Sequence, residues 1–97
     1  MRRTYKTFII NNEPHNRKML YMDLYYDSWH LDILQYNLLV EAIENHICNF
    51  PDITLSQFEK YVRGMLLKYF PLPGDITSVF LSCDINGTYY ETLVVLQ

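Results

Sequence analysis

The sequence predicts an α+β domain of order ββααββ, a four-stranded antiparallel sheet with two antiparallel helices packed on one face. Three observations predict it. Segments at both ends alternate with the period of a half-buried strand, two segments between them repeat apolar residues at helical spacing, and Asn86-Gly87 joins the last two strand segments. With 97 residues and an apolar fraction of 49% the chain is long enough for one core and reads as a single domain.

Taken in order, Tyr5 to Asn11 is β-branched and aromatic, and Asn11-Asn12-Glu13-Pro14-His15-Asn16 follows as a turn cluster. From Lys18 to Tyr26, Leu20, Met22, Leu24 and Tyr26 alternate with Met19, Tyr21, Asp23 and Tyr25, which predicts a hairpin with a longer loop. Asp27 or Ser28 is then placed to cap a helix whose stripe runs Trp29, Ile33, Tyr36, Val40, Ile43 and Ile47, widened by Leu31, Leu34 and Leu38. So wide an apolar arc is expected to touch two things.

Phe50-Pro51-Asp52 breaks the chain. Thr54 and Gln57 then form a capping box, with Ile53 and Phe58 as its hydrophobic staple, and Phe58, Tyr61, Val62, Met65, Leu66 and Tyr69 mark one face of a second helix. Gly64 sits inside that helix, a position expected where another backbone comes close. Pro71-Leu72-Pro73-Gly74 ends it. Asn86-Gly87 then sets the register from Ile76 to Leu96: Val79, Leu81, Cys83 and Ile85 with Tyr90, Thr92, Val94 and Leu96 toward the core, and Phe80, Leu93 and Val95 on the face that two helices cannot cover.

Nine Tyr among the aromatics exclude a disordered chain and put some rings at the surface or in an interface. No apolar run approaches the ~18 residues of a membrane span, so a cytoplasmic, intracellular protein is expected. Cys48 and Cys83 stand in apolar contexts and are expected to be buried thiols.

Charge is segregated. Asp23, Asp27, Asp32, Glu41, Glu44, Asp52 and Glu59 fall in a stretch without Lys or Arg, while five of the eight basic residues lie in the first eighteen positions. Tyr21, Asp23, Tyr25, Asp27, Asp32, Glu41 and Glu44 are thereby expected to form an acidic, Tyr-rich surface that docks on a basic partner. The basic cluster Arg2, Arg3, Lys6, Arg17 and Lys18 suits phosphates, but the acidic remainder, with a net charge of −3, opposes nucleic acid.

Catalytic signatures are missing. No cysteine or serine has a base at a recognisable spacing, and Gly64, Gly74 and Gly87 are each accounted for by helix or turn. His30 with Asp32, and His46 with Cys48, point about 200° apart on a helix and cannot share a metal. His15, beside Asn12, Glu13 and Asn16, suits turn hydrogen bonds. No cofactor or metal is therefore expected.

The element order, the second helix and the last hairpin with Asp84 together resemble the tunnelling fold of the pyruvoyl tetrahydropterin synthases. That resemblance implies an oligomer joined sheet edge to sheet edge, with a pterin or purine site at a subunit boundary near Asp84, Tyr89 and Glu91. The family's zinc histidines have no counterpart in His15, His30 and His46. The residues themselves point first to a non-catalytic protein-binding module that self-associates through Phe80, Leu93 and Val95. By analogy it is an inhibitor from a phage or mobile element, anti-CRISPR-like, that blocks a basic nucleic-acid-handling host protein.

Overall fold

In the computed structural model, which describes residues 2–27, 30–72 and 75–95, the order is β1 (Arg2–Glu13), β2 (Asn16–Tyr26), α1 (Ile33–Asn49), α2 (Leu55–Tyr69), β3 (Ser78–Ile85) and β4 (Thr88–Val95). The strands form one antiparallel sheet in the order β1-β2-β3-β4, so the expected ββααββ architecture is present. β1 and β4 are its edges. α1 lies against β1, and α2 lies against β3 and β4.

The first hairpin is longer and tighter than expected. Asn11, Asn12 and Glu13 keep pairing with Lys18, Arg17 and Asn16, which leaves Pro14-His15 as the turn. A register shift between Ile9 and Asn11 makes this possible: Ile10 is the extra residue of a bulge, and the Asn11 side chain accepts from the Glu13 amide at 3.1 Å. The polar turn cluster thus belongs largely to the strands.

α1 begins later than expected. The Asp32 carboxylate accepts from the amides of Leu34 and Gln35, satisfying two of the orphan donors of the first turn, while Asp27 lies exposed outside the helix. Ser28 and Trp29, the other residues invoked for that start, lie outside the described residues. The buried side is Leu39, Ile43 and Ile47, with Tyr36 and Val40 partly covered; Ile33, Leu34 and Leu38 are exposed. Cys48, expected to be buried, is exposed because it follows Ile47 by one residue, about 100° around the helix.

α2 starts where its capping box requires: Gln57 N donates to Thr54 Oγ1 at 3.2 Å and Thr54 N donates to Gln57 Oε1 at 3.0 Å. Ile53 and Phe58 are buried as a staple should be, and Phe58, Val62 and Leu66 reach the core. At Gly64, however, a Cβ would meet nothing within 4 Å among the described residues, so no described backbone approaches there.

The second hairpin turns through Asn86 (φ 53°) and Gly87 (φ 88°), the positive-φ pair of a two-residue turn. Its register runs from Ile85 opposite Thr88 to Ser78 opposite Val95, as expected. Val79, Leu81, Cys83 and Val94 are buried together with Phe8, Leu20, Met22 and Leu24 of the first hairpin. Ile85 and Tyr90 were expected in the core but are 41% and 52% exposed, because they stand on the turn side of that cluster, past the last buried residue of each strand. Leu96 lies outside the described residues.

Candidate interaction surface

Alternation along four strands, with the core side chains on the helix-facing side, leaves the opposite side of the sheet to the intervening residues. Register places them in cross-strand rows: Arg3, Tyr25, Ser78, Val95; then Tyr5, Asp23, Phe80, Leu93; then Thr7, Tyr21, Ser82, Glu91; then Ile9, Met19, Asp84, Tyr89. Phe80, Leu93 and Val95 are 40, 49 and 55% exposed, so no described element covers them.

The rings on this face touch one another. Tyr5 stacks on Tyr21 at 6.1 Å between centroids, and Tyr21 meets Tyr89 at 6.3 Å diagonally across β3, Tyr21 standing opposite Ser82 and Tyr89 opposite Asp84. Tyr25 sets its ring edge-on to Phe80 at 5.9 Å. Aromatic contacts of this kind restrict rotamers before any partner arrives, which lowers the entropy lost on docking. Burial, followed by the Asp84 charge, pushes the Tyr21 hydroxyl above the ordinary tyrosine range, so it stays neutral at physiological pH.

Two acids of the same face, Asp23 and Asp84, are already paired, while Glu91 stands exposed. Arg3 Nε donates to Asp23 Oδ1 at 2.7 Å, and the Tyr25 hydroxyl reaches Oδ2 of the same carboxylate at 3.4 Å. This hydrogen bond, then the carboxylate's charge, raises the Arg3 pKa further above its usual value. Arg17 Nη2 lies 3.3 Å from Asp84 Oδ2, and Asp84 Oδ1 accepts from the Gly87 amide at 2.8 Å. The basic N-terminal segment and the acidic strand, far apart in charge along the sequence, cancel each other across the hairpin.

The expected acidic surface is therefore divided. Tyr21, Asp23 and Tyr25 belong to the open sheet face, whereas Asp32, Glu41 and Glu44 belong to the helix layer on the other side. Asp32 is committed to its cap, and Glu44 lies 3.6 Å from Lys6 Nζ, both half-exposed. Asp27 and Glu41 are exposed. Alternation correctly grouped the strand residues, but only three-dimensional placement separates them from the helix acids. Arg3, Tyr5 and Ile9 complete the open face; their signal was the same alternation in β1, with Thr4, Lys6 and Phe8 facing the other way.

The basic cluster is likewise engaged internally. Besides Arg3, Lys6 and Arg17, Lys18 Nζ donates to the Pro51 and Ile53 carbonyls at 2.9 and 2.6 Å, tying β2 to the loop between the helices. His46 stacks on Tyr61 at 3.7 Å and 8°. The Cys83 thiol is pushed up by burial, which disfavours the reactive thiolate. Among the described residues, no three His, Cys, Asp or Glu side chains group to hold a metal ion, and no helix is long and apolar enough to cross a membrane. Near the boundary site implied by the tunnelling-fold resemblance, Asp84 is held by Arg17 and the Gly87 amide. Compared with protein families, with curated proteins and with solved structures, the chain gives no match.

Proposed function

We propose that this chain is a non-catalytic protein-binding module that self-associates through the open sheet face. The observation that carries the reading is the exposure of Phe80, Leu93 and Val95 beside three linked tyrosines on a face whose buried charges are neutralised in pairs. Four strands about 4.8 Å apart and eight residues long at about 3.3 Å each give a face of roughly 500 Å². Two such faces bury about 1,000 Å² in total, the lower bound for a specific interface. With Asp23 and Asp84 each beside an arginine, the aromatic face leaves exposed Glu91 as the acid that a second copy has to accommodate on docking.

On this reading the protein acts by occupancy. The acids of the helix side, Glu41 and Glu44, remain available for a basic client once the sheet faces are joined, and the overall charge of −3 steers toward one. Blocking a basic, nucleic-acid-handling host protein, as phage-encoded anti-CRISPR inhibitors do, is the activity such a module suits, by analogy.

Light scattering on the wild type and on a Phe80→Glu, Leu93→Glu double variant tests the first step. A wild-type dimer and a folded monomeric variant, with unchanged circular dichroism, are expected. A wild type that remains monomeric at high micromolar concentration overturns self-association.

A further inference from the structure

Beside β1 lies a groove of about 410 Å³, lined by Thr7, Phe8, Ile9 and Ile10 on the strand side and by Glu44, Ile47 and Cys48 of α1 opposite, with Pro51 at its end. β1 is a sheet edge: it pairs with β2 alone among the described strands, so alternate backbone N–H and C=O groups point away from the sheet. Edges are usually guarded by charge or by a bulge; the run Thr7 to Ile10 beside the groove carries no charge, and the bulge at Ile10 leaves Thr7 to Ile9 in regular pairing with β2. A strand edge facing a helix across an apolar trough is the geometry by which extended peptides are captured, main chain to main chain, with alternate side chains in the trough.

The charge of the lining selects the occupant. Glu44 is the one charged residue among those that line the groove, and the last turn of α1, the negative end of its dipole, forms the wall beside it. Lys6 reaches Glu44 only at 3.6 Å, with both side chains solvated, a contact too weak to exclude a better cation. A guanidinium offers two parallel donors to a carboxylate where an ammonium offers a point charge.

We infer that the edge of β1 and the facing wall of α1 bind an extended segment of a partner protein as an added strand. One apolar side chain of that segment sits over Phe8, Ile10 and Ile47, and an arginine or lysine sits against Glu44. The inference deepens the protein-binding reading by naming where and in what conformation a basic client is held, and it does not depend on the sheet-face dimer.

A capped, fluorescein-labelled peptide of alternating isoleucine and threonine with a central arginine serves as the probe, and its glutamate counterpart as the control. Fluorescence anisotropy is expected to show the arginine probe binding about tenfold more tightly, with Glu44→Lys reversing the preference. Alkylating exposed Cys48 with N-ethylmaleimide, which leaves buried Cys83 untouched, fills the groove and abolishes binding. The Phe80→Glu, Leu93→Glu variant binds the probe like the wild type, which separates this inference from failure of the dimer. Equal binding of both probes, binding indifferent to alkylation, or no binding at about 1 mM overturns it. So does a doubled mass that survives the double variant and vanishes on alkylation, since the groove is then filled by a second copy.

Discussion

Arg3 on β1 and Asp23 on β2 are joined at 2.7 Å although neither is the other's register partner: Arg3 stands opposite Tyr25, and Asp23 stands opposite Tyr5. The pair is diagonal, and its two ends are unequally exposed, 58% for the Arg3 side chain and 12% for Asp23. Truncating each end therefore has different consequences. Asp23→Ala leaves a guanidinium that water can solvate, whereas Arg3→Ala leaves a largely buried carboxylate with the Tyr25 hydroxyl 3.4 Å away. Arg3→Ala is expected to lower the urea midpoint more than Asp23→Ala, with the double variant close to Asp23→Ala alone. Equal effects of the two single changes would count against this asymmetry.

Gly64 provides a test with the opposite sign. It lies in the middle of α2 with nothing among the described residues within 4 Å of where a Cβ would stand, and its φ is not positive. Alanine there removes backbone freedom from the unfolded chain without a clash, so Gly64→Ala is expected to stabilise by about 1 kcal/mol. Chemical denaturation reads this directly. An unchanged or lower midpoint would mean that something meets this face of α2 in the assembled state.

What was legible in the sequence was local chemistry. Asn86-Gly87 and the Thr54–Gln57 box each specify their geometry within four residues, so the second hairpin and the start of α2 followed directly. The start of α1 did not. Asp27, Ser28 and Asp32 are all competent caps, and the choice of Asp32 depends on where β2 releases the chain. The candidate surface divides the same way. Alternation placed Tyr21, Asp23 and Tyr25 on one face with Phe80 and Leu93, but the neutralisation of Asp23 comes from Arg3, twenty residues away, and requires the bulged register of β1. Cross-strand pairing is invisible to one-dimensional charge counting, which is why a segregated sequence gives a mixed surface.

Lys18 illustrates that point energetically. Its ammonium donates to two loop carbonyls, Pro51 at 2.9 Å and Ile53 at 2.6 Å, and so ties the inner edge of the first hairpin to the helix connection. Lys18→Met keeps the aliphatic stem but leaves both carbonyls without this donor. A loss of about 1–3 kcal/mol in unfolding free energy is expected, because hydrogen bonds to charged groups are worth more than neutral ones. Hydrogen exchange should localise the effect to residues 50–54 and the first turn of α2. A variant as stable as the wild type would show that the carbonyls are rehydrated at no cost.

Alkaline pH loads a different contact. The Tyr61 hydroxyl donates to the Ala42 carbonyl at 3.2 Å, joining α2 to α1, and burial, with a smaller contribution from Tyr69, raises its pKa above the ordinary tyrosine value. The native state therefore keeps this proton to higher pH than the unfolded chain does. Stability is unaffected below the unfolded value of about 10 and falls as pH rises from there through the native value. Tyr61→Phe removes both the hydrogen bond and the titration. It is expected to be about 1 kcal/mol less stable than the wild type at pH 7, with the gap narrowing above about pH 10 as the wild type loses its advantage. Melting temperatures of the two proteins between neutral and alkaline pH measure that convergence, and parallel curves over the whole range would show that the Tyr61 proton is not linked to folding.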